Sequence, residues 1–185
     1  MKKLNQENPI NLYVGCGPDA REGFIHCDLR ELPHVDCVCK AWEVSRHFSG
    51  VSHIYSRHML EHLTNAEAML TLEDWYKALA LNATVRIIVP NMDFHCQQWL
   101  QAEWNEDTFT KERSDALYSS AGFWGWQAEC DPLEANYNNS YWDVHKSGYN
   151  VRKMKFLMEK IGFSEVHCEI KGDVHLVTTA KKTAQ

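Results

Sequence analysis

Apolar positions in this chain fall into short runs closed by glycine, proline or polar clusters, and into two longer stretches with helical spacing. Ile10–Val14 is the first run and reads as a strand that ends in Gly15-Cys16-Gly17-Pro18. Phe24–Cys27 is a second short strand, closed by Asp28; Val35–Cys39 is a third, and Ile54-Tyr55 closes a fourth. Thr84–Val89, with Val85, Ile87, Ile88 and Val89, has the pattern of a fully buried strand, and it stops at Pro90-Asn91. Between the fourth and fifth strands, Thr64-Asn65-Ala66-Glu67 fits a capping box, in which Thr64 accepts from the backbone while Glu67 reaches back. Met69, Leu72, Tyr76 and Leu79 then recur on one helical face. A late helix starts at Asn150 and carries the stripe Met154, Leu157, Met158 and Ile161. Gly162 ends it in a left-handed conformation, and Phe163 packs back. Ser164–Ile170 and Val174–Ala180 pair as an antiparallel hairpin with Gly172-Asp173 at the turn.

Strands that alternate with helices and finish in a hairpin predict an α/β fold with an open, mostly parallel sheet and a C-terminal antiparallel hairpin. Ligands bind such sheets at the carboxyl ends of the strands. That rule gathers Gly15, Asp28, Cys39-Lys40, Ser56-Arg57-His58 and Pro90-Asn91 on one rim. Only nine residues, Gly15 to Gly23, separate the first two strands. A parallel crossover usually takes a dozen or more, so the first crossover is shortened to a loop or a single turn. Leu81-Asn82-Ala83-Thr84 is expected as a turn before strand five, with Asn82 left-handed.

The whole chain, 1–185, reads as one domain, and 92–150 stands apart within it. Residues 93–119 are expected to be mostly helical. Residues 121–148 are expected to form a long ordered loop rich in Gly, Asn and aromatics. The aromatics of this segment are Trp99, Trp104, Phe109, Tyr118, Phe123, Trp124, Trp126, Tyr137, Tyr141, Trp142 and Tyr149. Long loops in compact domains are often functional lids. Most of these rings pack the segment onto the sheet; a few beside polar Asn and Gln suit a polyhydroxy ligand.

Composition narrows the partners. With 44% apolar and 24% charged residues the chain is globular, and a net charge of −6 without a Lys/Arg stripe argues against nucleic acid. No apolar run reaches membrane-spanning length, so no membrane partner is expected. Leu4-Asn5-Gln6-Glu7-Asn8-Pro9 lacks the apolar region of a secretory leader, which points to a cytoplasmic protein. Seven cysteines, an odd number scattered among apolar neighbours, read as buried free thiols. The expected partner is a small molecule, with a homodimer left open.

Three motifs carry candidate chemistry. The Gly15-Cys16-Gly17 turn permits positive φ and close approach of a ligand to backbone N–H groups, although an ordinary tight turn has the same signature. Asp28, ending the next strand, can hold both hydroxyls of a ribose or simply cap a turn. His58-Met59-Leu60-Glu61-His62 fits H-x-x-E-H, a zinc-peptidase signature, and zinc hydrolysis is a remote alternative. That signature needs a long helix, whereas here a strand precedes His58 and Thr64 restarts a helix at once. Cys37-x-Cys39 has no second pair at metal spacing. No metal is therefore expected.

Several stretches together resemble the small bacterial class I S-adenosylmethionine-dependent methyltransferases, of the kind linked to polysaccharide and secondary-metabolite pathways. They are Leu12-Tyr13-Val14-Gly15-Cys16-Gly17, Gly23-Phe24-Ile25-His26-Cys27-Asp28-Leu29, Ile54-Tyr55-Ser56-Arg57-His58-Met59-Leu60-Glu61-His62-Leu63, Trp75-Tyr76-Lys77-Ala78-Leu79 and Val85-Arg86-Ile87-Ile88-Val89-Pro90-Asn91. The likeness also touches Gly125-Trp126-Gln127, His145-Lys146-Ser147-Gly148-Tyr149 and Gly162-Phe163. It implies a Rossmann-like sheet and S-adenosyl-L-methionine as cofactor, leaving S-adenosyl-L-homocysteine. Tyr13, Gly15, Cys16 and Gly17 would border its methionine part, and Asp28 with Leu29 its ribose. Ser56, Arg57 and His58 would line the cofactor and the substrate mouth. The acid expected after strand three is absent, and Cys39-Lys40-Ala41-Trp42-Glu43 stands there; Lys40, Ala41 and Trp42 would hold adenine through backbone groups and stacking.

The resemblance further implies methyl transfer to a small-molecule acceptor, with a sugar hydroxyl favoured. A natural-product nitrogen, or a binding module that no longer turns over, are the alternatives. His62, Asn91, Trp124, Trp126, Gln127 and Tyr149 are the expected acceptor contacts. Histidine is the usual general base near neutral pH. His145 is the expected base, with Asp93 and His95 next.

Overall fold

A computed structural model describes residues 9–111, 113–127, 133 and 143–184. The leader reading at Leu4–Asn8 and the lid aromatics Tyr137, Tyr141 and Trp142 lie outside the described residues.

Seven strands form one sheet. They are β1 Asn11–Val14, β2 Ile25–Asp28, β3 Cys37–Val38, β4 Val51–Arg57, β5 Leu79–Pro90, β6 Ser164–Lys171 and β7 His175–Lys181. Their order is β3-β2-β1-β4-β5-β7-β6. The first five run parallel; β7 is antiparallel to β5, and β6 to β7. The order reverses between β1 and β4, which opens a crevice at their carboxyl ends. The mostly parallel sheet, the closing hairpin and the shortened crossover are all as expected. The hairpin turns at Gly172 and Asp173, both at positive φ.

Six helices complete the described chain: α1 Val44–His47, α2 Asn65–Ala78, α3 Met92–Gln101, α4 Glu106–Thr110, α5 Asp115–Trp124 and α6 Val151–Ile161. The capping box forms as the sequence predicts. Thr64 N donates to Glu67 at 2.9 Å, and Glu67 N donates to Thr64 Oγ1 at 3.3 Å. Asn150 caps α6, and Gly162 ends it at φ 111°. The core lies between the sheet and α2 and α6, where Leu12, Ile54, Leu72, Trp75, Val85, Ile87, Met154, Met158 and Leu176 are fully or almost fully buried.

Two expectations change. The break expected at Leu81–Thr84 does not interrupt β5, which starts at Leu79 and pairs there with Val51. Asn82 does take positive φ, at 64°, but its N–H donates to the Lys182 carbonyl at 2.7 Å. The local kink is therefore absorbed into a strand irregularity, because the backbone hydrogen bonds have a partner on both sides of it. The loop expected from 121 begins only after Trp124. Ser114 caps α5, and the small residues Ala116, Ser119, Ala121 and Gly122 bury its inner face. An added Cβ at Gly122 would overlap the His95 ring, 2.6 Å from its Cδ2, so α3 and α5 pack with almost no space between them.

Candidate functional site

The carboxyl ends of β1, β2 and β4 frame a cavity of about 400 Å³, within the usual range for small-ligand sites. Its floor is the β1–β2 turn. Gly15 and Gly17 sit at φ 68° and 55°, and a Cβ on Gly15 would overlap the Met59 side chain. Only glycine lets the backbone lie this close to the β4 exit. The capping reading of Asp28 holds. Its Oδ2 accepts from Gly17 N at 2.8 Å and its Oδ1 from Arg30 N at 2.9 Å, so it caps the turn. It also lines the cavity, and Oδ2, which accepts one bond, keeps a further lone pair for a ligand hydroxyl. Arg30 Nε stands 3.4 Å from Oδ1 and helps balance the charge of a side chain that is almost buried.

Ten more cavity residues follow from sequence positions singled out above or from their neighbours: Tyr13, Cys16, Leu29, Cys39, Lys40, Ala41, Trp42, Arg57, His58 and His62. Burial pushes the Cys16 thiol up to about 11, so it is an uncharged wall. The Lys40 ammonium stands over the Trp42 ring at 5.8 Å, in the place where an acid was expected. Ser56 lines neither this cavity nor the next. Consecutive strand residues face opposite sides, and next to Arg57 it is 1% exposed with its hydroxyl unpaired. Asp19, Arg30, Glu67, Asp143 and Lys146 also line the cavity, and nothing in the sequence marks them as ligand contacts. They come from turns and helix starts that carry no ligand signature.

A second cavity, about 370 Å³, shares His58, His62 and Asp143 with the first. Five imidazoles border it: His58, His62, His95, His145 and His175. Arg113, Tyr118 and Trp126 complete the wall from the 92–150 segment. The order of the chain hides this cluster, because its histidines come from the residue after β4, a 3-10 turn Leu60–His62, α3, the stretch before α6 and the start of β7. His58 holds an unusual φ of 49°, fixed by its N–H donating to Ile88 O at 2.8 Å. Such strain in a non-glycine residue clusters at functional positions. His145 donates from Nδ1 to Gly122 O at 3.0 Å, and His62 from Nδ1 to Val144 O at 3.2 Å. Burial lowers the pKa of His62, and it lowers that of His95 to about 4, aided by nearby His145 and His175. His175 is lowered too, by burial first and by His58 and Arg57 after it. His62, His95 and His175 are therefore held toward the neutral form.

Of the residues expected at the acceptor, His62 and Trp126 border this cavity, as do His95 and His145 among the expected bases. Five others line neither cavity. Asn91 donates its amide to Asp173 O, and Asp93 accepts from Asn150 at 2.9 Å, fastening α3 to the cap of α6. Trp124 packs on Trp99 and Phe123, and Gln127 donates back to Trp124 O. Tyr149 is buried against Leu60 O and Ser147. The H-x-x-E-H stretch is not a helix: His58 ends on the strand side and only Leu60–His62 form a 3-10 turn, so the two histidines do not share a helical face. The zinc-peptidase geometry is absent.

No family model and no curated protein matches the chain. Solved structures do. A protein of Bordetella parapertussis described as possibly exported superposes with TM-score 0.57 at 11% identity, over 96% of this chain and 63% of that one. An S-adenosylmethionine-dependent methyltransferase of Archaeoglobus fulgidus gives 0.58 at 16%, over 95% and 87%. The 1,6-didemethyltoxoflavin N1-methyltransferase of Burkholderia thailandensis, solved with 1,6-didemethyltoxoflavin and S-adenosylhomocysteine bound, gives 0.55 at 14%, over 96% and 72%. The chain spans just under two thirds of the Bordetella protein and more of the other two. The fold is thus the Rossmann-like fold of S-adenosylmethionine-dependent methyltransferases, as the sequence resemblance implied. Among the described residues no helix is long and apolar enough to cross a membrane.

Proposed function

We propose that this chain transfers the methyl group of S-adenosylmethionine to a small-molecule acceptor, with a hydroxyl of a sugar or related metabolite as the nucleophile. One observation carries the reading: at the switch point of this sheet, a glycine-floored cavity holding Asp28 adjoins a second cavity bordered by five imidazoles. The first cavity fits the cofactor in size and in donor set. Asp28 takes the ribose, the Gly15–Gly17 backbone lies against the methionine part, and Ala41 and Trp42 flank the adenine. When bound, the cofactor supplies an electrophilic methyl on a sulfonium. The protein's part is to place the acceptor in line, exclude water and take a proton.

His145 suits that last task. A carbonyl only accepts, so its Nδ1 carries the proton and its Nε2 the lone pair. His58 and His62, shared between the cavities, orient the acceptor. The segment 92–150 supplies the acceptor wall through His95, Arg113, Tyr118, Trp126 and His145. Two of the solved neighbours are named as methyltransferases, and the Burkholderia enzyme's acceptor is a nitrogen compound, so the product must be identified chemically.

The test is calorimetry with S-adenosylmethionine and S-adenosylhomocysteine, followed by mass spectrometry of products from an acceptor panel. Asp28→Asn should weaken S-adenosylhomocysteine binding by roughly 10–100-fold, the usual weight of a hydrogen bond to a charged group. Wild-type protein that binds neither compound would refute the proposal. Binding without turnover on any acceptor would favour a binding module.

A further inference from the structure

Glu61 is 1% exposed, yet only one of its carboxylate oxygens is satisfied. Oε1 lies 3.1 Å from His58 Nδ1, while Oε2 is buried with no hydrogen-bond partner among the described residues. A buried anion left half-paired is costly, and it persists where something else completes it. Beside it stand His62 and His145, their rings edge to face with centroids 5.0 Å apart. Both are pinned in the same way. Each gives its Nδ1 proton to a backbone carbonyl, which leaves each Nε2 with a free lone pair. Metal-binding histidines are oriented in this manner, with the non-ligating nitrogen held by a carbonyl or carboxylate.

One donor atom from each of Glu61, His62 and His145 lies within 4.8 Å of the other two. Zinc–nitrogen bonds of about 2.0–2.1 Å in a tetrahedron put neighbouring donors about 3.3 Å apart, a gap that small side-chain rotations close. The backbone holds both sides of the site together. Lys146 N and Ser147 N donate to the Glu61 carbonyl at 2.8 and 3.1 Å, so the stretch carrying His145 is tied directly to the 3-10 turn carrying Glu61 and His62.

We propose that Glu61, His62 and His145 bind a divalent transition-metal ion of the zinc or iron(II) class. Two imidazoles and one carboxylate with open positions is the donor set such ions take. All three residues border the second cavity, so the open coordination positions face the space assigned to the acceptor. In that role, which rests on the proposed function, the ion holds the acceptor oxygen and increases its acidity, and the proton passes to His95, an imidazole that borders the same cavity. The lone pair of His145 is then on the ion, and His145 takes a proton itself only in the metal-free protein. The site differs from the H-x-x-E-H reading of the sequence: His58 hydrogen-bonds the carboxylate ligand, and the second histidine ligand comes from His145, far along the chain. A second donor cluster, Cys27, Cys37 and Cys39, also gathers within 4.8 Å, beneath the first cavity. Its thiols hydrogen-bond one another, Cys27 with Cys39.

The full chain, stripped with a chelator, is titrated with Co(II) as a spectroscopic stand-in for zinc, then with Zn(II) in competition. The expected result is one saturable Co(II) equivalent with the intense ligand-field bands of four- or five-coordination, displaced by Zn(II). Glu61→Gln and His145→Gln should weaken it by about 100-fold or more, since even outer-shell changes cost 10–100-fold. His47→Gln, on the exposed surface, should leave it unchanged. Far-UV circular dichroism and S-adenosylhomocysteine calorimetry show whether the variants are folded. No saturable binding overturns the proposal. So does a Co(II) spectrum that survives both substitutions, or one with thiolate charge-transfer bands that Cys37→Ser removes. Wild-type protein that binds Co(II) this way but not S-adenosylhomocysteine leaves the metal site standing and removes the methyl-transfer reading; the converse result does the reverse.

Discussion

Gly15→Ala probes the point where the chain backbone and the first cavity are most tightly joined. Two costs add. Gly15 sits at φ 68°, and an L-residue there pays about 1–2 kcal/mol for its left-handed conformation. The new Cβ also overlaps the Met59 side chain, lying 2.6 Å from its Cβ. Overpacking of this kind costs about 1–3 kcal/mol, toward the lower part of the range because methionine adapts easily. The sum is about 2–4 kcal/mol. At roughly 2–4 °C per kcal/mol for a domain of this size, the melting temperature should fall by roughly 5–15 °C. Differential scanning calorimetry and urea unfolding measure it. Met59→Gly serves as the partner in a double-mutant cycle: it removes both the Cβ and the Cγ that the new methyl meets but not the φ cost at Gly15, so the pair should show a coupling of about 1–3 kcal/mol. Met59 also lines the cavity, so Gly15→Ala should weaken S-adenosylhomocysteine binding more than the melting shift alone explains. A melting temperature within a degree of wild type, or strictly additive costs in the cycle, would show that the close approach does not exist.

The remaining predictions concern the second cavity and the helix beside it. His95 is held neutral, with its pKa lowered to about 4 by burial. Its unfolded value is near 6.5, so the unfolded chain binds the extra proton between those values. Stability from this group is complete above pH 6.5 and falls as pH drops toward 4, by on the order of 3 kcal/mol. Unfolding free energies across that window should show the slope, and His95→Gln should flatten it. Gly122→Ala drives a methyl into the His95 ring and should cost about 1–3 kcal/mol by thermal unfolding, with S-adenosylhomocysteine affinity kept, because Gly122 borders only the second cavity. Thr64→Ala removes one half of the capping box of α2 and should cost about 0.5–2 kcal/mol in urea unfolding.

Local physics made much of the fold legible. A capping box is a contact between residues three apart, so Thr64 and Glu67 state it outright. The stripe of α6, the Gly162 stop and the Gly172-Asp173 turn are also short-range, and each formed where its residues place it. So did the glycine floor and Asp28 of the first cavity, since both follow directly from the ends of adjacent parallel strands. Where prediction slipped, a distant partner decided. The local preference of Asn82 predicts a turn, but the Lys182 carbonyl accepts the hydrogen bond that keeps it within β5. The extra turn of α5 depends on the packing of Gly122 against His95.

The sequence by itself determined the alternation of strands and helices, the shortened first crossover and the rim of the first cavity, because periodicity, caps and turns act over a few residues. It also carried each histidine of the second cavity, without saying that they meet. Their meeting was decided by tertiary structure: the antiparallel return of β7 brings His175 to His58, and the stretch before α6, tied to Glu61 by backbone hydrogen bonds, brings His145 to His62. Tertiary structure likewise took Asp93, Asn91 and Tyr149 out of reach of either cavity by giving their polar groups structural partners. A side chain's type sets what chemistry it can do, whereas its partners, fixed by contacts between residues far apart in the chain, set whether that chemistry is free for a ligand.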